Sequence, residues 1–79
     1  MTPGNSGSDV VWLQSSLQAL GFYTGPLNGA FDEATELAVR QFQQRNNLLL
    51  DGIVGPKTKL AIYGNLDVYS MPRLNDKTI

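Results

Sequence analysis

Few side chains in this sequence are equipped for covalent chemistry. Its 79 residues include no histidine and no cysteine. There is therefore no imidazole base and no thiolate, and zinc would have to be held by carboxylates alone, a set it rarely accepts. What remains is a carboxylate pair of the glycosidase kind, one acid and one base, for which Asp32, Glu33, Glu36 and Asp51 are the candidates. Each has a plainer use. Asp32 stands where a helix needs an N-cap, Glu33 and Glu36 complement the positive end of that helix, and Asp51 precedes a glycine in a turn. The pattern reads as non-catalytic, with no metal and no cofactor.

Non-covalent recognition has better candidates. Arg40 offers the bidentate geometry that suits a carboxylate, although Glu36 lies four residues earlier and can pair with it along a helix. Gln43 can hydrogen-bond a polar ligand or, equally, loop backbone. Tyr23 combines an apolar ring with a polar tip. Asn28 and Asp51 sit in equivalent turns beside helix N-termini, whose free N–H groups favour anions, and both also suit purely structural Asx turns. Arg40, Gln43, Tyr23, Asn28 and Asp51 together form the expected ligand-binding set. Arg40 and Gln43 are read as projecting from the polar side of one helix, so replacing both by alanine is expected to shift stability by about 0.5 kcal/mol at most. Trp12 is placed on the flank of its helix, either as a stacking platform or packed on the C-terminal tail through Tyr69 or Leu74.

The elements that must position these residues are short. A chain of this length buries roughly 60% of its unfolded surface and needs its packing to be efficient. At 42% hydrophobic residues the composition is that of a globular domain. The net charge is −1, with six basic residues interleaved among acids, so the basic face of a nucleic-acid binder is missing. The longest apolar run, Leu48-Leu49-Leu50, is far below the ~20 residues of a membrane span.

Residues 1–8 have linker composition. Ser8 or Asp9 is expected to cap a first helix over about 9–20, whose stripe is Val10, Leu13, Leu17 and Leu20, with Gly21 as its stop. Asp32 caps a second helix to about residue 45. Pro56 opens a third that Gly64 closes, over about 56–63. The predicted fold is an all-α, compact three-helix bundle with a core of Leu13, Leu17, Leu20, Phe31, Ala38, Phe42, Val54 and Leu60. The domain is assigned to 9–64 and a C-terminal extension to 65–79.

An internal repeat organises the bundle. Leu27-Asn28-Gly29-Ala30-Phe31-Asp32-Glu33-Ala34-Thr35-Glu36-Leu37-Ala38-Val39 aligns without a gap on Leu50-Asp51-Gly52-Ile53-Val54-Gly55-Pro56-Lys57-Thr58-Lys59-Leu60-Ala61-Ile62. Each copy is a polar-Gly turn, an apolar plug at the helix entrance (Phe31, Val54) and a threonine one turn inside. Gly29 and Gly52 are expected at positive φ.

These residues resemble a known family. Asp51-Gly52-Ile53-Val54-Gly55-Pro56-Lys57-Thr58-Lys59-Leu60-Ala61 is similar to the closing motif of type 1 peptidoglycan-binding domains. Val10-Val11-Trp12-Leu13-Gln14, Leu20-Gly21-Phe22-Tyr23 and Ala38-Val39-Arg40-Gln41-Phe42-Gln43 resemble their earlier motifs in the same order. Asn28 and Asp32 depart from the commoner Asp and Gly without altering turn or cap chemistry. The resemblance implies non-catalytic binding of cell-wall glycan or stem peptide by a periplasmic or wall-associated module. Asp9 to Gln14 and the tail from Leu66 to Leu74 also resemble the C-terminal module of the accessory ATPase of type II secretion. That likeness would imply secretion-machinery partners and an inner-membrane parent protein. A protein-interaction or oligomerisation module on the same fold is the alternative.

Overall fold

The computed structural model describes residues 1–70, the last four as helical backbone only. The described residues form three helices, α1 (Ser8–Ala19), α2 (Glu33–Arg45) and α3 (Pro56–Ser70), and α1 packs against both others. Among the described residues the only strand-like pairing is a single antiparallel bridge between Ser6 and Ala30. The expected all-α bundle is the fold observed.

The core gathers Val10, Leu13 and Leu17 from α1, Ala38, Val39 and Phe42 from α2, and Ile62 from α3, with Tyr23, Phe31 and Val54 from the loops. Phe31 and Val54 are the two plugs, each almost fully buried at the entrance of its helix. Leu20 packs at the edge of this core. Leu60 does not belong to it and is 72% exposed. On α3 the inward stripe runs through Thr58 and Ile62, and Leu60 lies two residues from each, about 200° round the helix. Its counterpart Leu37 is 57% exposed, whereas Val39 and its counterpart Ile62 are both fully buried. The two copies therefore agree in burial as well as in sequence.

Helix ends explain the other departures. Gly21 (φ 88°) and Asn47 (φ 58°) are left-handed stops. At each the chain makes a paired C-cap. Gly21 N–H donates to Gln18 O (3.0 Å) and Phe22 N–H to Leu17 O (2.8 Å), as Asn47 N–H does to Gln44 O (3.2 Å) and Leu48 N–H to Gln43 O (2.8 Å). In both cases the apolar residue after the stop, Phe22 or Leu48, packs on the core. Gly64 has no such successor and does not close α3. Asn65 follows, its Nδ2 donating to Ala61 O at 2.8 Å, and the helix runs on to Ser70.

At the other end of the chain, neither Ser8 nor Asp9 caps α1. Gly7 does, through backbone alone, because residues 1–7 are not a free linker. They form a strap along the two turns. Gly4 N–H donates to Phe31 O (3.0 Å), Phe31 N–H to Asn5 O (2.9 Å), Gly7 N–H to Gly29 O (3.0 Å) and Val54 N–H to Met1 O (2.7 Å). The segment enters α1 already pinned, so its direction is set without a side-chain cap.

Candidate functional site

Both turns are built on one device, a buried glutamine. Gln14 of α1 is completely buried. Its Nε2 donates to Asn28 Oδ1 (3.2 Å), Ala30 O (3.0 Å) and Thr35 Oγ1 (3.0 Å), and its Oε1 accepts from Gly29 N–H (2.9 Å). Gln43 of α2 is equally buried and repeats the set. Its Nε2 donates to Asp51 Oδ1 (2.9 Å), Ile53 O (2.9 Å) and Thr58 Oγ1 (3.2 Å), and its Oε1 accepts from Gly52 N–H (3.0 Å). Each turn closes on itself through an Asx bond, Ala30 N–H to Asn28 Oδ1 (3.0 Å) and Ile53 N–H to Asp51 Oδ1 (2.9 Å). No buried side-chain nitrogen or oxygen among the described residues is left without a partner.

This geometry places the five expected ligand residues differently from one another. Gln43 does not lie on an exposed helix face, and its amide is saturated by the turn. Tyr23 is buried too, its hydroxyl donating to Pro26 O at 2.7 Å. Arg40, Asn28 and Asp51 are accessible. Arg40 reaches over the second turn, Nη1 donating to Leu50 O (3.0 Å) and Nη2 pairing with Glu36 Oε2 (3.2 Å). Arg40 and Asp51 thus share the Gln43 turn, while Asn28 belongs to the Gln14 turn. Gln43 is buried, so the exposed position from which the tolerance of an Arg40/Gln43 double alanine substitution is expected is not the one it occupies.

The carboxylates serve structure. Asp32 Oδ1 accepts from the backbone N–H of Thr35 (3.1 Å) and from its hydroxyl (3.0 Å). The Thr35 N–H and then its hydroxyl hold the Asp32 carboxyl below its ordinary pKa, and the Ile53 N–H and then the Gln43 amide do the same for Asp51. A carboxyl depressed on folding adds stability that is complete above its unfolded pKa and is lost as pH falls through the folded value. Thermal stability should therefore be flat down to about pH 5 and decline below about pH 4. Asp51→Asn, which installs the residue the other turn already uses at Asn28, should keep the fold and flatten part of that decline. A melting series across pH 2–7 checks both, and an unchanged acid limb in Asp51→Asn would remove Asp51 from the account.

Among the described residues, no three acidic, histidine or cysteine side chains gather into a metal-binding group. No described helix is long and apolar enough to cross a membrane. Trp12 packs at 5.2 Å and 41° on Tyr63, with Lys59 Nζ 5.7 Å from its ring. Tyr69 and Leu74, the partners expected for it, lie outside the residues whose side chains are described.

A further concavity lies at the end of the bundle where α1 and α2 stop. A cleft of about 460 Å³ is lined by Leu20, Gly21, Phe22, Arg45, Asn46, Gly64 and Asn65. A second depression shares Gly21, Phe22 and Arg45 with it and adds Gln41 and Gln44. Sequence reasoning missed this place. Its only signals were two helix stops with apolar successors and a glycine inside a helical stretch.

A family model described as a peptidoglycan binding domain matches residues 6–62. A spore cortex-lytic enzyme of Bacillus cereus is 50% identical over 56 residues, covering 71% of this chain and 22% of that protein. The N-acetylmuramoyl-L-alanine amidase CwlM of Mycobacterium tuberculosis is 46% identical over 57 residues, 72% of this chain and 14% of its own length. The chain thus spans about a fifth or less of these curated relatives. The crystal structure of the SleB N-terminal domain superposes with a TM-score of 0.81 at 43% identity, covering 82% of this chain and 89% of that one. The Burkholderia AP3 phage endolysin gives 0.70 at 34% identity, covering 92% of this chain and 25% of the endolysin.

Proposed function

The chain belongs to the peptidoglycan binding domain family, and from that premise we infer that it is a non-catalytic module that attaches a larger protein to the bacterial cell wall. The observation that carries this reading is the reach of the family match, residues 6–62, which takes in α1, α2, both glutamine-latched turns and the first half of α3. The relatives named as a spore cortex-lytic enzyme and an N-acetylmuramoyl-L-alanine amidase are several times longer than the matched segment, which leaves room for their chemistry in other domains. In this chain the carboxylates of Asp32 and Asp51 are held by cap and turn hydrogen bonds. Shallow clefts and exposed turn groups suit weak, reversible contact, and a repeating polymer makes modest affinity effective by rebinding. Arg40, Asn28 and Asp51 are the turn residues from which such contact can be made.

A place in type II secretion, with an inner-membrane parent and a periplasmic setting, is a narrower reading. It rests on residues 9–14 and the tail from Leu66 to Leu74, most of which lies outside the described side chains, and the relatives are a spore cortex-lytic enzyme and an N-acetylmuramoyl-L-alanine amidase. Wall attachment does not depend on it.

The purified chain should co-sediment with insoluble sacculi, without added metal, and release no soluble muropeptides from them. Released muropeptides would overturn the non-catalytic assignment. Failure to sediment with sacculi of any wall type would favour a protein-interaction module instead.

A further inference from the structure

We propose that the cleft between the ends of α1 and α2 and the middle of α3 binds a short peptide terminus bearing a free carboxylate, with Arg45 as its anion-binding group. The proposal rests on the wall-binding reading and names the part of the wall recognised, its stem peptide rather than its glycan.

Three observations converge on the cleft. The first is an uncommitted cation. Arg40 is bonded to Glu36 and Leu50, whereas Arg45 is exposed and has no ion pair or hydrogen bond among the described residues. Its place in the last turn of α2 complements the helix dipole, and it does so without using its N–H groups. A guanidinium on the wall of a cleft is suited to a carboxylate, which it can grip with two parallel hydrogen bonds.

The second observation is the polar and apolar lining. Asn65 Nδ2 donates to Asn46 Oδ1 (3.1 Å) and to Ala61 O (2.8 Å), so the amide is fixed in place. Its Oδ1 accepts nothing from the described residues and is available to a peptide N–H. Leu20 and Phe22 supply a small apolar surface, and Phe22 is held edge-on against Phe42 at 5.6 Å. Anion donor, amide acceptor and apolar patch match a peptide end with small aliphatic side chains. A neutral glycan would leave the guanidinium unanswered.

The third observation is Gly64. Glycine inside a helix destabilises it relative to alanine. Here no close approach requires it, since a Cβ built at Gly64 meets nothing within 4 Å, and its φ is not in the left-handed region. What the missing side chain does is leave the cleft open.

The test uses the whole chain, sacculi, and two soluble probes: a stem-type peptide ending in a free D-alanine carboxylate, and the same peptide as its C-terminal amide. Arg45→Gln removes the charge at an exposed, unbonded position. Gly64→Leu fills the cleft on a helix that should gain from losing glycine. The free-carboxylate peptide should shift the amide resonances of Phe22, Asn46 and Asn65, and the amide peptide should bind about tenfold or more weakly. Both variants should lose about tenfold or more in sacculus binding, with a melting temperature that falls by no more than a few degrees for Arg45→Gln, the loss of its dipole interaction, and is unchanged or higher for Gly64→Leu. If the wild type and Arg45→Gln sediment equally well, or the two peptides bind alike, the cleft assignment is overturned while wall binding stands. If the wild type does not sediment at all, the wall-binding reading fails. In that case resonance shifts at the cleft with the carboxylate peptide would still support the site.

Discussion

Gln43→Ala should lower folding stability by roughly 2–4 kcal/mol, a large share of what a domain this small has. The side chain is fully buried and makes four hydrogen bonds within one turn. Removing it strands the Gly52 N–H, which has no water to turn to, and takes the donor away from Ile53 O and Thr58 Oγ1. Unsatisfied buried groups of this kind cost about 1–3 kcal/mol each where the structure cannot relax. Gln43→Glu should be no milder, because a carboxylate keeps the volume but replaces three donations with repulsion toward Asp51. Gln14→Ala should fall in the same range, since the first turn repeats the bonding. Urea titration of the three variants measures this directly. A Gln43→Ala midpoint indistinguishable from wild type would mean the latch is an incidental contact.

Gly29→Ala should cost roughly 2 kcal/mol and Gly52→Ala nearer 1, and the order matters more than either number. Both glycines have φ in the left-handed region, +76° and +72°, where an L side chain is strained. The surroundings then separate them. A Cβ at Gly29 would lie 3.2 Å from the Gly7 carbonyl oxygen and 3.1 Å from Val11 Cγ2, and the first of these is backbone of the strap that feeds α1. A Cβ at Gly52 would lie 3.0 Å from Arg40 Nε and 3.1 Å from Glu36 Cγ, parts of long side chains that can rotate aside. The second substitution should therefore disturb the Glu36–Arg40 pair and little else. Equal losses in the two variants would show that backbone conformation alone sets the cost. A larger loss at Gly52 would show that the Glu36–Arg40 pair braces the turn.

The internal repeat is the most informative feature of the sequence, and it extends to burial. Leu60 is expected in the core, yet it and its counterpart Leu37 both face outward, and the pair that is buried is Val39 and Ile62. A helix of 15 residues with apolar groups spread around it does not announce its inward face by periodicity alone. The position-by-position correspondence with the more amphipathic α2 does.

Local sequence determined where the three helices lie, though not the end of α3 or the cap of α1, together with their apolar plugs, the Asp32 cap, the two Gly turns and the family resemblance, because each depends on residues within a few positions of one another. The tertiary structure alone decided three matters. Gln14 and Gln43 became the internal scaffolds of the turns, since a glutamine amide looks the same in sequence whether it meets water or a turn 8–21 residues away. Residues 1–7 became a strap, since backbone pairing to Gly29, Phe31 and Val54 needs no distinctive side chains. Arg40 became engaged, and Arg45 has no side-chain partner among the described residues, because reach, not residue type, determines which guanidinium finds a carboxylate and a carbonyl within the fold.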